Sequence, residues 1–168
     1  MNKKITVYDI ALIALLTAIL SIQEMMLSFI PNVQLTVFLL ILFSKKLGFT
    51  KTSLIILIHV LIDNLVMGSF NVIYVPFMFL GWMMIPILLC TVFKKINSNI
   101  TLAFISILFA LIYSWVYIIP NVIITEVDAI AYLVADIPWE IILALSSFIS
   151  TLLLYNPCVK LFDKFNIK

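Results

Sequence analysis

Phe43-Ser44-Lys45-Lys46-Leu47-Gly48-Phe49-Thr50-Lys51 sets three lysines between two long apolar runs, 33–43 before it and 52–67 after it. Lysine-rich flanks are held on the cytoplasmic side during membrane insertion. A lysine knot between apolar runs therefore reads as a cytoplasmic turn joining two crossings. The same pattern repeats outward along the chain. All 10 basic residues are lysines, and the others fall at Lys3–Lys4, Lys94–Lys95 and Lys160–Lys164–Lys168. Between the four groups lie stretches of roughly 40, 42 and 64 residues without a lysine. If every group stays inside, each stretch crosses an even number of times. At about 17–25 residues per crossing, two in each is the natural solution. Glu24, Glu126 and Asp128 fall near the opposite ends of these hairpins, where no lysine appears.

Composition sets the medium. Of 168 residues, 65% are apolar and 11% charged, and mean hydropathy is +1.27. A soluble domain runs nearer half apolar and about a quarter charged. A chain this short still exposes about a third of its unfolded surface, so the excess faces lipid. This excludes a soluble enzyme, a disulfide scaffold, a disordered tail and a nucleic-acid binder. Three glycines and unbroken Ile/Leu/Val/Phe runs, with no period of two, exclude an outer-membrane barrel. The expected fold is all-α and integral to the membrane, residues 1–168 forming a single bundle of six transmembrane helices with both termini cytoplasmic.

The expected helices cover about 8–28, 33–43, 52–67, 72–93, 100–119 and 137–161. The second spans only about 17 Å at 1.5 Å per residue, so it is expected to tilt or to sit behind a loop that dips into the membrane. Pro120 is expected to stop the fifth, and Pro138 suits the first turn of the sixth. The segment 121–136 between them is too polar for a crossing and too apolar for a free linker, and is expected to pack as a lid. Lys3-Lys4 before an apolar run resembles a signal peptide. No small-x-small cleavage site follows, and the run is read as a retained first helix. Cys90 and Cys158 lie near cytoplasmic helix ends, without a CxxC or clustered His, so neither a redox couple nor a metal site is indicated.

Three features point toward function. Ala11, Ala14, Ala18 and Ser21 recur at spacings of 3, 4 and 3 on the first helix. Small residues let helix backbones approach closely in lipid, so this face docks another protein or packs within its own bundle. His59 and Asp63 are four apart on one helix face with Asn64 beside them; at membrane depth such groups line a ligand site or lock helices together. Gln34, Asn71, Tyr74, Trp115, Tyr117, Asn121, Trp139 and Glu140 gather within about two turns of the outer surface. Interfacial Trp and Tyr are expected as a membrane belt, but the amides and Glu140 are not. Aromatic walls with a few convergent polar groups are what a small-molecule cavity needs. The chain carries no GxxxxGK[ST], HExxH or GxSxG. No enzyme activity, cofactor or metal is expected.

Together these residues resemble a family, the substrate-binding S components of energy-coupling factor (ECF) transporters. Ala11-Leu-Ile-Ala14-Leu-Leu-Thr-Ala18 is similar to the family's alanine-rich first helix. Lys46-Leu-Gly48 through to Asp63 resembles its cytoplasmic glycine turn and the helix after it. Asp136-Ile-Pro-Trp-Glu140 through to Leu154-Tyr-Asn-Pro157 resembles its closing helix. The resemblance implies high-affinity capture of a vitamin or its precursor from outside, in the cell membrane of a prokaryote. It also implies association with a transmembrane coupling protein and two ATPase subunits, with Ala11, Ala14 and Ala18 as the docking face. Many members carry His and then Asn where Leu143 and Ser147 stand here, so the substrate stays open. With no outer Lys or Arg to meet a polyanion, a neutral or cationic heteroaromatic ligand is favoured, with Glu126, Asp128 and Glu140 as its acids. The rival reading is a ligand-free membrane scaffold or assembly protein.

Overall fold

The computed structural model describes residues 5–66 and 70–167. Lys3, Lys4 and Lys168 of the lysine groups, and Met67 at the end of the third expected helix, lie outside the described residues. Among the described residues the chain is all helical, in five elements rather than six: α1 (Val7–Leu27), α2 (Thr36–Val66), α3 (Tyr74–Cys90), α4 (Asn99–Thr125) and α5 (Ala129–Lys164). Four of these are long and apolar enough to cross a membrane; α3, at 17 residues, is shorter.

The count differs because the second and third expected helices form one element with a break in its middle. Gly48 sits inside α2 at φ 79 and ψ −177, outside helical geometry. The contacts on either side show what the break does. Thr36 Oγ1 accepts a hydrogen bond from Gln23 near the end of α1, whereas the Lys51 ammonium pairs with Asp9 near its start. His59 then returns to the level of Ser21. The two arms of α2 therefore run in opposite directions along α1, turning at Gly48.

That turn gathers charge at one end of the bundle. Lys45 Nζ donates to the carbonyls of Phe93 (2.8 Å) and Lys94 (3.2 Å). Lys46 Nζ meets Asp163 at 2.8 Å, and Asp9, which the Lys51 ammonium reaches, also closes a capping box with Thr6 at the start of α1. The described parts of the lysine groups thus share one end.

The first arm of α2 runs through the core. Every residue from Val37 to Phe43 is buried, as expected of a helix apolar all round. Around it stand Leu12, Leu16 and Leu20 of α1, Ile55, Ile56 and Val60 of the second arm, Trp82, Ile85 and Leu89 of α3, and Leu102 and Phe109 of α4. The outward faces are apolar too: Leu15 and Ile19, Phe104 and Leu108, Leu145, Ile149 and Leu153 are all exposed. Contiguous apolar surface on every side is a lipid-facing exterior.

Two further expectations are corrected. Pro120 does not stop its helix, since α4 continues to Thr125, and α5 already begins at Ala129, leaving Pro138 inside it. The segment 121–136 is consequently not a lid but the ends of two helices joined by a turn. Proline deprives a helix of one hydrogen bond, a loss that neighbouring helices make tolerable in a membrane bundle. At the turn, Glu126 takes a left-handed conformation (φ 57), and Asp128 caps α5 by accepting from the Ile130 and Ala131 N–H groups.

Gly48 has no heavy atom within 4 Å of where a Cβ would stand, so a substitution there reports backbone conformation alone. In a straight helix Gly→Ala stabilises by about 1 kcal/mol; at φ 79 it costs about 1–3 kcal/mol. Gly48→Ala is expected to lower the thermal unfolding midpoint in detergent, and a raised midpoint would contradict the turn.

Candidate functional site

A cavity of about 320 Å³ lies at the end of the bundle away from the lysines. This is within the range of small-molecule sites, about 300–1,000 Å³. Its walls come from the end of α1 (Glu24, Leu27), the connection from Ser28 to Gln34, the outer half of α4 (Tyr113, Ser114, Tyr117) and the start of α5 (Tyr132, Asp136, Leu143).

The connection after α1 is shaped by its own sequence and then fastened twice. Asn32 turns the chain through a left-handed conformation at φ 58, which asparagine tolerates better than most residues. Gln23 then draws the returning strand of chain inward: its Oε1 accepts from the Leu35 N–H (2.8 Å) and its Nε2 donates to Thr36 Oγ1 (2.9 Å). Gln34 is held from across the bundle. Its N–H donates to Ser146 Oγ (3.1 Å), and that hydroxyl donates back to the Gln34 carbonyl (2.9 Å).

The α4 wall is a run of aromatic rings. Trp82 of α3 stacks on Tyr113 with centroids 3.6 Å apart and planes at 15°. Tyr113 lies against Tyr117 at 5.0 Å, and Tyr117 stacks with Tyr74 at 5.8 Å. The Tyr74 hydroxyl donates to Asn121 Oδ1 (2.6 Å), while Asn121 Nδ2 donates to the Tyr117 carbonyl (2.7 Å). Rings held against one another in this way lose little further freedom when a ligand meets them.

Behind Glu24 lies the polar group at membrane depth. His59 is fully buried. Its Nδ1 is 3.0 Å from Ser21 Oγ, and its Nε2 is 3.0 Å from Glu24 Oε2. The second contact has ion-pair distance but not hydrogen-bond alignment. Asp63, one turn along the same helix and partly buried, is close enough for its charge to interact with both Glu24 and His59. No group of three metal-ligating side chains is present among the described residues.

The residues expected at the site separate into three sets. Gln34 and Tyr117 line the cavity, and Tyr74 and Asn121 brace Tyr117 from behind. Asn71 accepts the Ile73 N–H at the entry to α3 and does not line it. Trp115 and Trp139 are each nearly half exposed on the apolar exterior, where a membrane belt places them. Glu140 is buried one turn beyond Asp136, within reach of the Trp115 side chain, but it does not line the cavity. Glu126 and Asp128, expected to serve a ligand, stand exposed at the α4–α5 turn, where Asp128 caps α5, and do not line the cavity. His59 makes its close contacts with Ser21 and Glu24, and Asp63, expected to form a buried polar pair with it, acts on it through charge. Ala11, Ala14 and Ala18 are exposed, whereas Ser21, at the edge of that stripe, turns inward to His59.

Glu24, Tyr113, Tyr132, Asp136 and the connection from Ser28 to Val33 are cavity wall that the sequence reading did not single out. Glu24 carried a usable signal: an acid well inside a mostly apolar helix seeks a partner or a cavity. Comparison with protein-family models, with characterised proteins and with solved structures gives no match for this chain.

The ring wall depends on one small residue. A Cβ at Gly81 would stand 2.8 Å from Tyr113 Cδ2, and the ring, wedged against Trp82, has little room to retreat. Gly81→Ala is expected to destabilise the protein by about 1–3 kcal/mol through overpacking, read as a fall in the unfolding midpoint. An unchanged midpoint would show that Tyr113 is loosely held.

Proposed function

We propose that this chain is the membrane-embedded binding subunit of an ECF-type importer, taking up a small neutral or cationic heteroaromatic micronutrient. The carrying observation is the cavity itself: about 320 Å³, walled by tyrosines and holding the carboxylates of Glu24 and Asp136 with no lysine among its lining residues. In this reading the lysine end is cytoplasmic and the cavity faces outward. The two arms of α2 count as separate crossings, and α3, about 26 Å long at 1.5 Å per residue, completes six. The chain has no nucleotide-binding motif, so energy comes from separate ATPase subunits through a transmembrane coupling protein. The exposed Ala11, Ala14 and Ala18 are the surface offered to that partner, since they let another helix come close.

A ligand present at about 100 times its Kd stabilises the native state by about 2.7 kcal/mol. Thermal unfolding of the purified chain against thiamin, pyridoxine, riboflavin, cytosine and related heteroaromatics should therefore give a raised midpoint with at least one. Tyr117→Ala should abolish that rise. A folded protein indifferent to the whole panel would favour the scaffold reading.

Docking is tested separately. Ala14→Trp is expected to abolish uptake of the same compound by cells, while the isolated chain still binds it. Loss of binding together with uptake would assign the alanines to packing within the chain.

A further inference from the structure

Gln34 is tied down at every hydrogen-bonding atom but one. Its N–H donates to Ser146 Oγ (3.1 Å), and its carbonyl accepts from the same hydroxyl (2.9 Å). Its Oε1 accepts from the Thr36 hydroxyl at 3.0 Å. Its Nε2, which carries two hydrogens, has no partner among the described residues, and Gln34 stands in the cavity wall.

The bonds around this amide decide which of its ends carries the oxygen. The Leu35 N–H can only donate, so the Gln23 side-chain atom 2.8 Å from it is the oxygen. Gln23 Nε2 therefore points the other way, and its hydrogens go to the Leu20 carbonyl and to Thr36 Oγ1, both at 2.9 Å. Thr36 is fully buried. With its oxygen accepting from Gln23, its own hydrogen needs an acceptor, and the atom it reaches on Gln34 is thus the oxygen. One backbone N–H sets the direction of every link in this chain, and the chain ends on Gln34 Nε2 as a donor at the cavity.

No other uncharged side chain in the lining is fixed as a donor. The Ser28 hydroxyl already donates to the Met25 carbonyl. The hydroxyls of the tyrosines and Ser114 can turn to donate or to accept, and Asn32 is exposed, with its amide free to turn over. A donor that cannot turn favours a ligand offering it an acceptor and rejects one that leaves it unpaired. A carbonyl oxygen accepts over a broad range of directions, which suits a donor held at one point better than the single in-plane lone pair of a ring nitrogen.

Resting on the binding-subunit reading above, we propose that Gln34 is the specificity residue of the cavity, its Nε2 donating to a carbonyl oxygen on the heteroaromatic ligand. Gln23 and Thr36 are positioning residues that hold the amide this way round. The tyrosine faces take the ring, and Gln34 reads what the ring carries.

The test uses the full chain in detergent. It contains two glutamines, Gln23 and Gln34, so labelling glutamine with an NMR-active nitrogen gives two side-chain amide signals. The Gln23 hydrogens, both bonded, should exchange with water more slowly than those of Gln34; the reverse order would overturn the proposal. The probes are 3-acetylpyridine and 3-isopropylpyridine, alike in shape, with a methyl group in place of the carbonyl oxygen. In mildly alkaline buffer both are uncharged. The ketone should bind about fivefold tighter or more, and it should shift the Gln34 signal while the Gln23 signal stays. Gln34→Glu keeps an acceptor for Thr36 but sets an oxygen where Nε2 stood, and should abolish the preference. Thr36→Val, which frees the amide to turn, should lose it too, whereas Thr36→Ser should keep it. Should the variants fail to fold, the signal shift in the wild type decides. Equal affinity for the two pyridines, or ketone binding with the Gln34 signal unmoved, would overturn the proposal and leave the binding-subunit reading standing. If neither pyridine binds, cytosine and riboflavin, whose rings carry carbonyls, are read in the same way. A raised unfolding midpoint with a shifted Gln34 signal supports the proposal. A rise without that shift, or one given only by thiamin or pyridoxine, which carry no carbonyl, overturns it alone. If nothing binds, both readings fail.

Discussion

A carboxylate at membrane depth has to be answered, and the arrangement around Glu24 is the answer this chain gives. An ionised side chain in the hydrocarbon region costs at least about 2.5 kcal/mol, and Glu24 stands beside Gln23 near the end of a mostly apolar α1. His59 stands 3.0 Å behind it, and it is there because the second arm of α2 climbs back alongside α1. That arm can climb back only because Gly48 turns the chain through a conformation that residues with a Cβ avoid. Local geometry at one end of the bundle thereby decides which partner an acid meets at the other. The Lys51–Asp9 pair fixes the register of the same two helices near the turn.

The remaining side of Glu24 opens on the cavity, and the cavity exists because three elements fail to close over it. The connection after α1 is drawn aside by Gln23 and Ser146. The rings of α4 are pinned flat by Trp82 and Tyr74. The early start of α5 places Tyr132 and Asp136 on the far wall. The first two walls are fixed by contacts outside the cavity. A preformed site of this kind spends little of its binding energy on ordering side chains.

Much of the fold was legible because lysine is so costly to bury. The groups at Lys45–Lys46–Lys51, Lys94 and Lys160–Lys164 mark one end of the bundle, and Lys45 and Lys46 reach residues of the other groups' neighbourhoods. Proline misled, because its effect depends on surroundings that a sequence does not show. Pro120 and Pro138 suggest boundaries, yet both lie inside helices, Pro120 buried and Pro138 exposed, as membrane helices tolerate. The consequence was a lid where there are two helix ends. The five-element count has a different source: a single residue breaks helical geometry at Gly48, without a loop to mark where one arm ends.

The site was legible in part for a similar reason. Gln34 and Tyr117 at the cavity wall, with Tyr74 and Asn121 behind it, stand out by their depth along the chain, which the lysine groups calibrate. Direction around each helix was not readable, so Trp115 and Trp139 were grouped with them although they face outward. Glu24, whose position marks only the outer end, is through its contact with His59 the link between the buried polar cluster and the cavity. The central claim, that this cavity holds a small organic molecule, is tested most directly by native mass spectrometry of the protein released from its own membrane. A discrete adduct of one small heteroaromatic compound, absent from Tyr117→Ala, is the result expected. Bare polypeptide, or polypeptide carrying only lipid in both proteins, would contradict it.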